Sequence, residues 1–252
     1  MNAADWMVWR LSRQARPTDV IVVGVATPLA LCAALVAREV NPRVTVVVGG
    51  ALDPDLHDIA ETVHDPASLP GRSHGVLGQE ALLNHVQLGT FMLQFVSPAQ
   101  VDSHGQINTV RVSTSGGSRW LAGPLAIPDI SAGVGRLVAY RAEHSRRVLV
   151  DTVDHVTGSA SARSGHGWRS RYRLTGAGVQ AIVTSQAEIG WDGAGFSVTG
   201  LRDATTLAEV RDGCGFDLGD EVEEATPPEG FLDLLDSIDP SRVRDLEARA
   251  AS

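Results

Sequence analysis

The run Val20-Ile21-Val22-Val23-Gly24-Val25-Ala26-Thr27-Pro28-Leu29-Ala30-Leu31-Cys32-Ala33-Ala34-Leu35-Val36-Ala37 goes 18 residues without a charge, the lower length limit of a membrane-spanning helix. Its internal chemistry points elsewhere. Four β-branched residues in succession favour extended backbone, because branching at Cβ restricts χ1 against a helical turn. Gly24 to Thr27 then supplies a turn, Pro28 suits the first position of a helix, and Thr27 stands where a cap is expected. The stretch reads as a buried strand, a turn and a helix. A secretory leader is disfavoured as well, since Asp5 and Asp19 interrupt a region that should be basic or apolar.

The same alternation continues along the chain. Val44-Thr45-Val46-Val47-Val48 reads as a second buried strand ending at Gly49-Gly50, and Phe91 to Val96 as a third. Between them Leu77, Ala81, Leu82, Leu83 and Val86 suggest a helix. Leu137 to Tyr140 and Val148 to Val150 are further short strands. Val179 to Ile189 and Gly195 to Leu201 form an expected antiparallel pair around Trp191-Asp192-Gly193, with short helices from Thr206 to Arg211 and from Phe231 to Ile238. The fold class is therefore α/β: a mostly parallel open sheet flanked by helices, with an antiparallel C-terminal portion. No repeat or linker is evident, so residues 1–252 are expected to form a single domain.

Composition narrows the function. A net charge of −9 over 252 residues disfavours nucleic acid and anionic membranes as partners, since both are bound through clustered cations. Cys32 and Cys214 form no ladder of spacings, so neither a disulfide framework nor a metal site is signalled, and a cytoplasmic location fits.

Several catalytic patterns compete. Gly71-Arg72-Ser73-His74-Gly75 matches a serine-hydrolase elbow, but it follows the loop-like Asp65-Pro66-Ala67-Ser68-Leu69-Pro70 instead of an apolar strand, so a chance match is the simpler reading. His57, His64, His74 and His85 have no i, i+4 pairing and are expected at the surface or at helix ends. Gly133-Val134-Gly135 lacks the third glycine of a dinucleotide fingerprint, and Ser115-Gly116-Gly117-Ser118 reads as a hairpin or loop. Arg163, Arg169, Arg171 and Arg173, interleaved with His166, Trp168 and Tyr172, make a concentrated positive stretch. It reads first as a solvated connection, and as a partner-facing or phosphate-contacting surface in the sharper alternative.

Gln100-Val101-Asp102-Ser103-His104-Gly105-Gln106-Ile107-Asn108-Thr109, followed by Tyr140-Arg141-Ala142-Glu143-His144-Ser145-Arg146-Arg147 and Val150-Asp151-Thr152-Val153-Asp154-His155-Val156-Thr157, resembles the small (β) subunit of two-chain class I CoA-transferases. The order of Gly49-Gly50-Ala51, Phe95 to Asp102 and Gly123-Pro124 with Asp129 supports this. Asp102 and Asn108 suit a turn at the carboxyl end of a strand.

The resemblance implies a glutamate nucleophile where the family's strand corresponding to Val44–Val48 ends, yet Val48 occupies the position, and Asp53 and Asp55 lie beyond the glycine turn. Gly123-Pro124-Leu125-Ala126-Ile127-Pro128-Asp129 is altered too. The whole pattern looks most like the β subunits of the actinobacterial CoA-ester hydrolases that open the last steroid ring in cholesterol catabolism. That resemblance implies an α2β2 heterotetramer with a CoA-transferase-like α subunit carrying the catalytic glutamate, no catalytic residue in this chain, an acyl-CoA substrate and no cofactor beyond the CoA of that substrate. The expected substrate-binding residues are Val48, Gly49, Gly50, Ala51, Gln94 and Gln100. A true CoA-transferase subunit and a non-catalytic assembly subunit are the alternatives.

Overall fold

The structure is a computed structural model and describes residues 1–24, 27–56, 58–64, 66–158 and 171–249. Its helices are α1 (Ala3–Ser12), α2 (Pro28–Val40), α3 (Ala60–His64), α4 (Gln79–Gln87), α5 (Ile127–Gly133), α6 (Leu207–Asp212), α7 (Phe231–Ile238) and α8 (Arg244–Arg249). The strands are β1 (Val20–Val23), β2 (Thr45–Val48), β3 (Ala51–Leu52), β4 (Gly75–Val76), β5 (Leu93–Val96), β6 (Gln100–Asp102), β7 (Ile107–Asn108), β8 (Arg111–Thr114), β9 (Gly117–Trp120), β10 (Arg136–Arg141), β11 (Leu149–Val150), β12 (Val179–Thr184), β13 (Ala187–Trp191), β14 (Phe196–Leu201) and β15 (Gly219–Asp220).

The main sheet runs in the order β15-β14-β13-β12-β10-β5-β1-β2-β3-β4. Its centre, from β12 to β2, is parallel, and antiparallel strands flank it on both sides. The α/β class with a largely parallel sheet is thus as read from the sequence. Strand alternation divides the core into two layers. Ile21, Val23, Val46, Val48, Phe95, Val138 and Tyr140 face α1, α2, α7 and α8. Val47, Leu137, Ala139, Ile182 and Ile189 face the other way, toward Val86 of α4, Ile127 of α5 and the small sheet β11-β6-β7.

Two local readings change, and one expected strand finds its place. Val179 to Ile189 is two strands, because Thr184 Oγ1 accepts the backbone N–H of Gln186 and Ala187 at 3.2 and 3.0 Å and folds the chain there. β12 consequently joins β10 in parallel, and the antiparallel hairpin is β13-β14, closed by Asp192 Oδ1 on the Ala194 and Gly195 amides. β11, from the Val148 to Val150 run, pairs with β6 outside the main sheet. Thr27 does precede α2, whose first residue is Pro28, but its hydroxyl donates to the Gly24 carbonyl at 2.7 Å and does not cap. The acceptor for the α2 first turn is the carboxylate of Glu247, which takes the Leu29 N–H at 2.8 Å.

Helices α1 and α8, which periodicity had not singled out, are tied by buried charge. Arg244 is fully buried and donates to Asp5 at 2.8 Å and Asp239 at 3.1 Å, with Asp236 as a third partner. Arg10 sits against Trp6 and Trp9, 5.2 and 5.0 Å from the ring centroids, and pairs with Glu188. Among the described residues no helix is long and apolar enough to cross a membrane.

Candidate active site

In an open parallel sheet the carboxyl ends of the strands are where connections diverge and ligands enter. In this chain that edge carries the turn after β2, the segment after β5 and the segment after β10.

The β2-β3 turn is a tight hairpin. Val48 pairs with Ala51, and the two intervening glycines adopt φ of 56° and 96°, the positive values that a two-residue hairpin of the favoured type requires. At Gly50 the requirement is also steric, for a Cβ there would lie 2.4 Å from the Leu77 carbonyl oxygen. Val48 itself is 1% exposed and belongs to the layer under α2. Among the described residues no carboxylate takes its place: Asp53 Oδ1 accepts the Val46 N–H at 2.7 Å and lies 3.8 Å from Arg38, turned back along the hairpin.

Gln94 stands in the row Val47–Val22–Gln94–Leu137. That row is one residue short of Val48 and faces the opposite layer, so Gln94 and Val48 lie on different sides of the sheet. The Gln94 side chain is buried, with Oε1 lacking a hydrogen-bond partner among the described residues.

Gln100 is engaged at both ends. Its Oε1 accepts from Asn108 Nδ2 at 2.7 Å and from the Asp154 amide at 3.0 Å, while its Nε2 donates to Asp154 Oδ2 at 3.0 Å. Asn108 Oδ1 in turn accepts the Val110 and Arg111 amides, and Asp102 Oδ1 accepts those of His104 and Gln106 at 2.9 and 3.0 Å. The Gln-Val-Asp…Asn element is therefore a clasp that fixes β6, β7 and the loop beyond β11. Burial pushes the Asp102 carboxyl up from its ordinary range, and the two amides pull against that shift.

A second acidic group at this edge was not singled out by sequence. Glu247 of α8 accepts the Tyr140 hydroxyl at 2.9 Å, besides the Leu29 amide, and burial raises its carboxyl above the ordinary value. Its sequence neighbourhood, Arg244-Asp245-Leu246-Glu247, looks like a solvated helix face, and only the tertiary fold reveals the burial.

The serine of the elbow-like motif follows the 3₁₀ turn Pro66–Arg72, and its Oγ lies within 3.1 Å of the Pro70 carbonyl and 2.9 Å of the Gly75 carbonyl. No strand precedes it and no histidine is bonded to it among the described residues. The Ser115-Gly116-Gly117-Ser118 stretch makes the exposed β8-β9 hairpin. His57 and most of the arginine-rich stretch, Arg163, His166, Trp168 and Arg169, lie outside the described residues. No group of three or more His, Cys, Asp or Glu arranged to hold a metal occurs among the described residues.

No protein-family model and no curated protein matches the sequence. Solved structures do. A chain of the decarboxylase AibA/AibB is similar with a TM-score of 0.83 at 23% identity, over 100% of this chain and 99% of that one. Glutaconate coenzyme A-transferase from Acidaminococcus fermentans gives 0.81 at 21%, over 96% of each chain. IpdAB of Rhodococcus jostii RHA1 gives 0.80 at 20%, over 98% of each. The chain thus has, over essentially its whole length, the α/β fold of the CoA-transferases.

Proposed function

We propose that this chain, as a single domain, is the β-type half of a two-chain acyl-CoA hydrolase in which a CoA-transferase-like α subunit supplies the catalytic glutamate. The observation that carries the reading is Val48. A buried valine ends the strand where, by the resemblance, a transferase needs its nucleophile, and Asp53 is bonded away from the position. Among the described residues there is then no group there to take an acyl group from CoA.

An apolar residue at that point suits a hydrocarbon ring in the acyl moiety. In the reaction so inferred, the partner carboxylate takes a proton from water, and the hydroxide adds to a ring ketone of the acyl-CoA. The tetrahedral adduct collapses with cleavage of the adjacent carbon–carbon bond, leaving a carboxylate on one side and a carbanion that is protonated on the other. The thioester is untouched, and no cofactor beyond the substrate's own CoA is needed. The Val48 to Ala51 hairpin would wall the acyl pocket, with Gln94 reaching the same edge from the opposite face of the sheet and Gln100 holding β6 and β7 in place behind it, and the assembly would be an α2β2 heterotetramer working in the cytoplasm on a steroid-derived ring.

The test is to purify the chain together with the product of its neighbouring gene and supply cyclic enone-CoA esters in ¹⁸O-water. Label in the new carboxyl group with the thioester intact supports the reading. A glutamyl adduct trapped by hydroxylamine would place the chain in a true transferase, and full activity of the α chain alone would reduce this one to an assembly subunit.

A further inference from the structure

At the amino end of the sheet, opposite the edge that carries Val48, the fold opens into a cavity of about 260 Å³. Its floor is core: Trp9 of α1, Val36 and Ala37 of α2, Val44 just before β2 and Phe231 of α7 are each no more than 6% exposed. All five belong to the apolar layer under α1, α2, α7 and α8, which is therefore open to the outside at this point. Val40, 71% exposed, carries the apolar wall to the rim. The uncharged polar side chains of the lining are turned to the backbone. Ser12 Oγ donates to the Trp9 carbonyl at 2.8 Å, and Asn41 Oδ1 accepts the Arg43 amide at 3.2 Å. An apolar cavity of this kind holds water poorly and gains from an apolar occupant.

The rim is cationic. Arg13 and Arg16 line the cavity, both are exposed, and among the described residues no carboxylate lines it with them. Arg13 lies 5.7 Å from the Trp9 ring centroid and 3.7 Å from Glu223, an exposed pair of the kind that contributes little. Arg16 has no ion pair of its own among the described residues. The carboxylate nearest in sequence, Asp19, is taken by the guanidinium of Arg136 and by the Arg16 amide at 2.8 Å. Burial lowers the pKa of Arg136; Asp19 opposes that shift and the charge of Arg16 adds to it. A chain of net charge −9 thus sets an excess of positive charge at the mouth of an apolar hole.

We propose that this cavity binds a small apolar monocarboxylate, with its hydrocarbon body on Trp9, Val44 and Phe231 and its carboxylate on Arg16. The volume of about 260 Å³ holds about eight to ten heavy atoms at roughly 30 Å³ each, the share of a small molecule in a liquid. The single charge matches the one guanidinium that lacks an ion pair, and the planar fork of an arginine takes both oxygens of a carboxylate. The site is separate from the acyl pocket argued above. Val44 precedes β2 and Val48 ends it, roughly 13 Å away at the usual rise per residue. The inference stands on the cavity and its rim, and it is independent of the hydrolase reading.

Calorimetric titration and ligand-detected NMR on the full chain, with whatever partner copurifies, test this. Octanoate and cyclohexanecarboxylate are compared with the neutral 1-octanol and cyclohexylmethanol. Arg16→Gln removes the cation and Val40→Glu places a rival carboxylate at the rim, both at exposed positions that leave the fold in place. Ala37→Leu fills the cavity from α2, and Arg119→Gln, on the exposed β8-β9 hairpin, is the control. The expected result is saturable binding of the acids with Kd on the order of 0.1–1 mM, tighter than that of the alcohols. Arg16→Gln and Val40→Glu should each weaken the acids about three- to fivefold and spare the alcohols. Ala37→Leu should weaken both classes, and Arg119→Gln neither; if Ala37→Leu fails to fold, the two exposed variants decide alone. Absence of saturable acid binding up to about 10 mM overturns the proposal, as does acid binding that both Arg16→Gln and Val40→Glu leave unchanged. Equal affinity for acids and alcohols overturns the carboxylate assignment.

Discussion

Replacing Glu247 by alanine should loosen the carboxyl edge of the sheet by an amount that its contacts allow to be worked out. The substitution removes the acceptor of the Leu29 N–H in the first turn of α2 and the acceptor of the Tyr140 hydroxyl, whose residue is 1% exposed. Loss of a helix N-terminal acceptor costs about 1 kcal/mol, and loss of one hydrogen bond from the Tyr140 hydroxyl, which keeps Ser97 as a partner, costs roughly 0.5–1.5 kcal/mol. The sum, about 1.5–2.5 kcal/mol, corresponds to a fall in Tm on the order of 3–10 °C for a chain of this size.

Glu247→Gln separates geometry from charge. Burial raises the carboxyl of Glu247 in the folded protein, so the native state binds that proton more tightly than the unfolded chain does. The resulting stabilisation is fully present below the unfolded value and is lost as pH rises through the raised folded one. Glutamine keeps an acceptor for Leu29 and abolishes the titration, so this part of the decline in stability with rising pH should disappear. Denaturant unfolding at a series of pH values measures both effects. A cost below about 0.5 kcal/mol for the alanine variant, against the sum above, or equal pH slopes in wild type and Glu247→Gln, would refute the reasoning.

Val48→Glu should yield no adduct that hydroxylamine can trap. It should also lower Tm, more so at pH 8 than at pH 5, because a carboxylate at a 1% exposed position is desolvated against hydrocarbon and ionises at a cost. Gly50→Ala should cost about 2 kcal/mol or more by thermal unfolding, since alanine must adopt φ near 96° with its Cβ 2.4 Å from a backbone oxygen. The cysteines should be silent toward an aromatic disulfide reagent at pH 8 until the protein is denatured. Both are buried, and burial pushes the Cys214 thiol up to about 11 and Cys32 up as well, leaving little thiolate.

What could be read from sequence followed the range of the forces involved. Strands β1 and β2 are runs of β-branched residues, and α7 has apolar residues at helical spacing, so local chemistry was enough to find them, as it was for the Gly49-Gly50 turn. Helix α1 escaped because Trp6, Met7, Val8, Trp9 and Leu11 bury most of its circumference while Asp5 and Arg10 are buried with partners far along the chain. Such a helix has no polar face to mark its period. Thr27 was a sensible cap by position, but the acceptor at α2 comes from 218 residues away. Gln100 illustrates the same limit at the site: its amide is consumed by Asp154, 54 residues downstream. Arg119 and Arg141 illustrate it again, since they line one cavity only because the β8-β9 hairpin lies beside the end of β10.

The Arg244–Asp5 pair also bears on how the chain is made. Its partners are 239 residues apart in sequence, so at a synthesis rate of about 5–20 residues per second Asp5 precedes Arg244 by roughly 12–48 s. Throughout that interval the indoles of Trp6 and Trp9 lack α8, and for most of it they lack the β12-β13 region as well. Nascent chains would then present an aromatic, partly charged helix to the surroundings, a surface suited to capture by chaperones and prone to self-association. Ordering of α1 becomes a late event, and long-range closure of this kind slows folding as a whole. Slow recovery after dilution from denaturant, with tryptophan fluorescence lagging behind the return of backbone circular dichroism, is the kinetic signature of that delay.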